Sequence, residues 1–67
     1  MTLEERIKLL GYAFRDLTYH TDGRYSCRLG ETFLKGIKAP REFWGDTPLE
    51  AVEAAAEALE ELKKDYN

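Results

Sequence analysis

The hydrophobic period changes twice along this chain, and that change limits the folds open to it. Leu3, Ile7, Leu10, Phe14 and Leu17 recur at intervals of four, three, four and three, which is one stripe of an amphipathic helix. In "RYSCRL" the apolar residues alternate instead. Tyr25, Cys27 and Leu29 point one way, and Arg24, Ser26 and Arg28 the other, as in a half-buried strand. The helical spacing then returns through Leu49, Val52, Ala55, Ala56, Leu59, Leu62 and Tyr66, widened by Ala51, Ala54 and Ala58. Helix, strands, helix within 67 residues is one domain over 1–67. Each element has one apolar side, so the simplest assembly packs both helices on the same face of a sheet.

Local signals set the boundaries. Thr2 can cap a first helix, with Glu4 and Glu5 in its first turn, where the helix dipole favours acids. The stripe predicts this helix over about 2–16, weakened at Gly11. Asp22-Gly23 is the usual dipeptide of a tight hairpin turn. "ETFLKGIKA" reads as a further strand, turned near Lys35-Gly36. Ala39-Pro40 breaks a central ladder, and "REFWGD" reads as a short edge strand or an ordered loop. Thr47 and Glu50 form a capping box around Pro48 at the first helical position, so the start of the last helix is strongly encoded. The expected fold is α+β: helix, antiparallel meander of two or three strands, helix, with both helices on one face. Arg24 and Arg28 then lie on the open face.

A chain this short buries a modest core and usually needs a staple or a partner. Cys27 has no second cysteine to pair with. Cys27 and His20 are the only soft metal ligands, whereas zinc prefers four. Neither metal nor cofactor is expected, and self-association into a dimer is favoured over a monomer. No run approaches the roughly 18 apolar residues that span a bilayer. "MTLEERIKLL" lacks a signal-peptide core, and an unpaired cysteine suits a reducing compartment. The expectation is a cytoplasmic protein with no membrane partner.

Catalysis finds little support. His20 is the one conventional base near neutral pH, and it sits beside a turn. Cys27 is in phase with Tyr25 and Leu29, as a small buried hydrophobe would be. No phosphate-binding glycine motif is present. A non-enzymatic role is expected.

Charge is divided along the chain, although the net value is only −3. Residues 19–45 carry Arg24, Arg28, Lys35, Lys38 and Arg41 against Asp22, Glu31 and Glu42. Residues 46–67 carry Asp46, Glu50, Glu53, Glu57, Glu60, Glu61 and Asp65 against Lys63 and Lys64. The glutamates are a solvated face or a surface for a basic partner; Glu53, Glu57 and Glu61, four apart, repel one another slightly. The bases, with Tyr25, Phe33, Phe43 and Trp44 nearby, either blunt sheet edges or grip nucleic acid through phosphate contacts and stacking. An acidic chain repels nucleic acid at long range, which favours the first. Phe43 and Trp44 are adjacent, so on a strand one faces in and the other is left to anchor a partner.

The ending "FWGDTPLEAVEAAAEAL" resembles the close of small phage α/β sandwich proteins, where an aromatic strand runs into G-x-T-P and an alanine-rich helix. It is also similar to the G-D-T-x-E-E-A tail of HicB-like antitoxin domains. The order helix, strands, helix resembles the double-stranded-RNA-binding domain, whose last helix begins with a lysine-rich, phosphate-gripping turn. Here that turn reads "TPLEAVEAAA", and carboxylates there would repel the backbone. These resemblances imply a small phage- or prophage-encoded binding protein that works through protein contacts and occludes a nucleic-acid-handling host complex. Its candidate contact residues are Trp44, Phe43, Glu50, Glu53, Glu57 and Glu61. The alternative is a nucleic-acid-binding module using Arg24, Arg28, Lys35, Lys38 and Arg41. A third possibility is a homo-oligomer paired through the alanine face of the last helix.

Overall fold

Two capped helices bracket a three-stranded antiparallel meander in the computed structural model, which describes residues 2–30 and 42–66. The elements are α1 (Leu3–Leu10), a single 3-10 turn (Gly11–Ala13), β1 (Phe14–Tyr19), β2 (Tyr25–Leu29), β3 (Glu42–Gly45) and α2 (Pro48–Tyr66). The strand order is β1-β2-β3. Both helices contact the sheet, α2 lying across all three strands and α1 leaning mainly on α2. The strand expected over "ETFLKGIKA", and with it Phe33, Lys35, Lys38 and Arg41, lies outside the described residues. So do the side chains of Leu62 and Tyr66.

The first helix is shorter than its apolar stripe predicts. Thr2 and Glu5 form a reciprocal capping box at its start: Glu5 N–H donates to Thr2 Oγ1 at 3.2 Å, and Thr2 N–H donates to Glu5 Oε1 at 3.0 Å. It ends at Gly11, whose φ of +56° lies outside the helical region, while its N–H closes the last turn on the carbonyls of Ile7 and Lys8. Phe14 and Leu17 therefore belong to β1. They still reach the core, because the register slips between Phe14 and Asp16. The bulge turns a spacing of three, which in a regular strand alternates faces, into two residues on one face.

The β1–β2 hairpin forms where Asp22-Gly23 predicts it. His20 N–H donates to Arg24 O at 2.8 Å, Gly23 N–H donates to His20 O at 2.9 Å, and Gly23 has φ +93°. This is a three-residue loop with glycine in the left-handed position. β2 then pairs with β3, placing Ser26 opposite Trp44 and Cys27 opposite Phe43.

Cys27 and Leu29 of β2 meet Ala51, Val52, Ala55 and Leu59 of α2, with Leu10 and Ala13 closing one end. Leu3, Ile7, Phe14, Leu17, Tyr25, Phe43 and Ala56 pack around this cluster. The alanines let α2 lie close to the sheet. At Gly45 a Cβ would stand 2.5 Å from the Ala51 nitrogen, so the strand end and the first turn of the helix leave no room for a side chain. Of the alanine face expected as an oligomer surface, Ala51 and Ala55 are buried inside the protomer, while Ala54, Ala56 and Ala58 stay partly accessible.

Candidate functional site: the open face of the sheet

Strand parity determines what the uncovered face carries. The cross-strand pairs Asp16–Arg28, Thr18–Ser26, Ser26–Trp44 and Arg28–Glu42 share one side of the pleat. The hairpin adds His20 and Arg24 at one end.

Trp44, on the outer strand β3, is the large aromatic of this face. Its ring centroid lies 4.3 Å from that of His20, the planes inclined at 37°. The Arg24 guanidinium carbon lies 4.8 Å from the Trp44 ring centroid, within cation–π range. Trp44 nevertheless remains 41% exposed. Its neighbour Phe43 packs against the core cluster, which resolves the pair: Trp44 faces out and Phe43 faces in.

Beneath Trp44 lies Ser26, polar yet fully buried. Its hydroxyl lies 2.7 Å from His20 Nε2, so the buried oxygen keeps a hydrogen-bond partner. A serine beside a histidine is the first pair of a nucleophilic site. Here the hydroxyl is fully buried and meets the imidazole at Nε2. Cys27 sits on the opposite, core side of β2, and burial pushes its thiol up to about 11. Histidine and thiol are therefore separated by the sheet. Among the described residues no three His, Cys, Asp or Glu side chains gather into a metal-binding group, and no helix is long and apolar enough to cross a membrane.

The two described arginines of the basic set both lie on this face, and each is held by an aspartate. Arg28 Nε donates to Asp16 Oδ1 at 2.9 Å, and its Nη2 completes a forked contact. Hydrogen bonding from Arg28 holds the Asp16 carboxyl below its ordinary value, and the same bond raises Arg28. Arg24 Nε donates to Asp22 Oδ2 at 2.9 Å, and the Arg24 N–H donates to Asp22 Oδ1 at 3.1 Å. These bonds, the side-chain one first, lower Asp22 likewise. The two arginines expected to grip phosphate are thus each paired with an aspartate within the chain.

The acidic candidates are on the other side of the molecule, because α2 turns its alanine and valine face to the sheet. They are not one uniform row. Glu50 is a cap: its N–H donates to Thr47 Oγ1 at 3.1 Å, and its carboxylate accepts from the Asp46 N–H at 3.0 Å. The box reaches back one residue further than its sequence implies. Glu53 pairs with Arg6 of α1 at 3.6 Å beside a shallow groove of about 60 Å³ between the helices, lined also by Ala56, Glu57 and Glu60. Glu57, Glu60 and Glu61 are exposed. Trp44 and the glutamates therefore do not form one continuous surface.

Sequence reasoning missed the His20–Ser26–Trp44 cluster. Half of it was within reach: the Asp22-Gly23 turn fixes the hairpin register, which puts His20 and Ser26 on the same face. The Trp44 half depends on the β2–β3 register, which no short turn signal encodes. A comparison with protein-family models, curated proteins and solved structures finds no match to this chain.

Proposed function

We propose that this is a non-enzymatic binding protein that engages a protein partner through the open sheet face, with Trp44 as the anchor. The carrying observation is that this face joins a part-exposed tryptophan to arginines already neutralised by their own aspartates. A part-exposed aromatic beside polar groups that are paired within the chain is the make-up of a protein interface. A phosphate-binding surface instead needs cations that are free to replace counterions.

The acidic outer face of α2 acts at a distance in this reading. It does not touch the same partner surface as Trp44, but with the net charge of −3 it draws the protein towards a basic partner and speeds encounter. A nucleic-acid-handling complex, whose working surfaces are basic, is the partner class that fits this field. Occlusion of such a surface is the mechanism, and the resemblance of the chain's ending to small phage proteins supports that version.

The test is affinity capture from cell lysate with wild-type protein and with Trp44→Ala, each with and without nuclease. A partner retained by the wild type, lost with Trp44→Ala and indifferent to nuclease is the expected result. Retention by Trp44→Ala, or loss on nuclease treatment, overturns the reading. Nuclease sensitivity together with steeply salt-dependent nucleic-acid binding abolished by reversal of Arg24 and Arg28 would establish the alternative.

A further inference from the structure

We propose that the outer edge of β1 is a self-pairing surface, and that two copies of this chain join there, antiparallel, so that their described strands form one continuous sheet. β1 ends the strand order, so one side of its backbone has no ladder partner among the described residues. His20 N–H points to β2, where it bonds to Arg24. In an antiparallel pair, successive residues point their backbone groups to alternate sides. Thr18 and Asp16 therefore share the β2-facing direction of His20, and the N–H and C=O groups of Leu17 and Tyr19 point outward.

A two-fold axis passing by Thr18 satisfies all of these groups at once. Leu17 of one copy exchanges both backbone bonds with Tyr19 of the other, and the reverse pair does the same. A register centred on Leu17 or on Tyr19 leaves the other residue's groups unmatched. The side chains agree with the same axis. On the helix side, part-buried Leu17 lies opposite Tyr19 of the second copy, covering a tyrosine that is 62% exposed in the single chain. Aromatic–aliphatic cross-strand pairs of this kind favour a sheet. On the open side, Thr18 meets Thr18 and the Asp16 carboxylate faces the His20 imidazole, whose Nε2 is engaged by Ser26.

Edges that must stay single are blunted by lysine, proline, bulges or inward charge. The bulge at Arg15 blunts only the first part of β1. Leu17-Thr18-Tyr19 carries no such protection, and all three residue types suit strands. A second copy is favoured over a foreign strand because the pairing satisfies its own symmetry: each outward group, and each side chain beside the axis, finds its counterpart in the same short segment.

Sedimentation equilibrium over a dilution series tests this. The expected result is a shift from 7.7 kDa towards twice that mass as concentration rises, lost or moved at least tenfold in concentration by Tyr19→Pro. That substitution removes an outward N–H and, with it, the Tyr19 ring that packs 5.1 Å from Tyr25, but takes no hydrogen bond from the β1–β2 ladder; Tyr19→Phe, which keeps the ring and the N–H, should dimerise as the wild type does. Tyr19→Lys, which adds charge at the edge without touching the backbone, should weaken the dimer in the same direction. Thr18→Cys should form a disulfide-linked dimer under mild oxidation, since non-bonded antiparallel pairs bring Cα atoms within disulfide range. Cys27, buried with its thiol raised, does not compete. A monomer at every concentration overturns the proposal. So does a dimer indifferent to Tyr19→Lys with no Thr18→Cys cross-link, or an edge that accepts only a foreign peptide.

Discussion

At the scale of single residues, three of the described carboxylates are held below their ordinary values, each for a local reason. The Thr2 backbone N–H lowers Glu5, the Arg28 side chain lowers Asp16 and the Arg24 side chain lowers Asp22. Because the folded values lie below the unfolded ones, the stability these groups supply is present above the ordinary carboxylate range and is lost as pH falls through the folded values. Glu5 and Asp22 are exposed and Asp16 is partly so, and each contribution is small. Thermal unfolding should therefore move to lower temperature as pH falls below about 4, and Asp16→Asn should flatten part of that decline while leaving the midpoint near neutral pH only slightly lower. A midpoint for Asp16→Asn that tracks the wild type through acid would show that the Arg28 fork contributes nothing. Asp22 and Arg24 were legible as a turn and a basic strand residue. Their mutual neutralisation was not, because a sequence shows charges and not the rotamers that join them.

At the scale of elements, the helix starts were the best encoded features and the helix end the worst. Thr2 with Glu5, and Thr47 with Glu50, act within a few residues of themselves, so their effect survives any tertiary context. Thr47→Ala should cost about 1 kcal/mol, read as a lower urea midpoint at unchanged slope. The first helix was over-extended because its stripe has two physical meanings. Phe14 and Leu17, three apart, fit a helix face, and they fit equally a strand carrying one bulge. Gly11 decided between them by ending the helix on the Ile7 and Lys8 carbonyls. The backbone beyond it then gained more from pairing with β2 than from further turns of α1.

At the scale of the whole molecule, a small core is shared among all the described elements, and few of its members are large. Leu29 and Val52 are the bulkiest fully buried side chains. Leu29→Ala should cost about 2–5 kcal/mol, against a total of roughly 3–5 kcal/mol for a chain of this size. The variant should be largely unfolded at room temperature by circular dichroism, and its Cys27 should react with a thiol reagent that leaves the wild type untouched. A folded Leu29→Ala protein would show that stability comes from elsewhere, the β1-edge dimer being the first place to look.

The order of elements, the helix starts, the Asp22-Gly23 turn and the facing of β2 were determined by the sequence alone, since each rests on contacts within a few residues. Which of Phe43 and Trp44 faces out, the burial of Ser26, the union of His20 with Trp44 and the removal of Glu50 and Glu53 from the free acidic row were decided only by the tertiary structure. These depend on the register of β3 against β2 and on the seating of α2. Register across a long connection is set by the packing of the finished core, and no local stretch of chain carries that information.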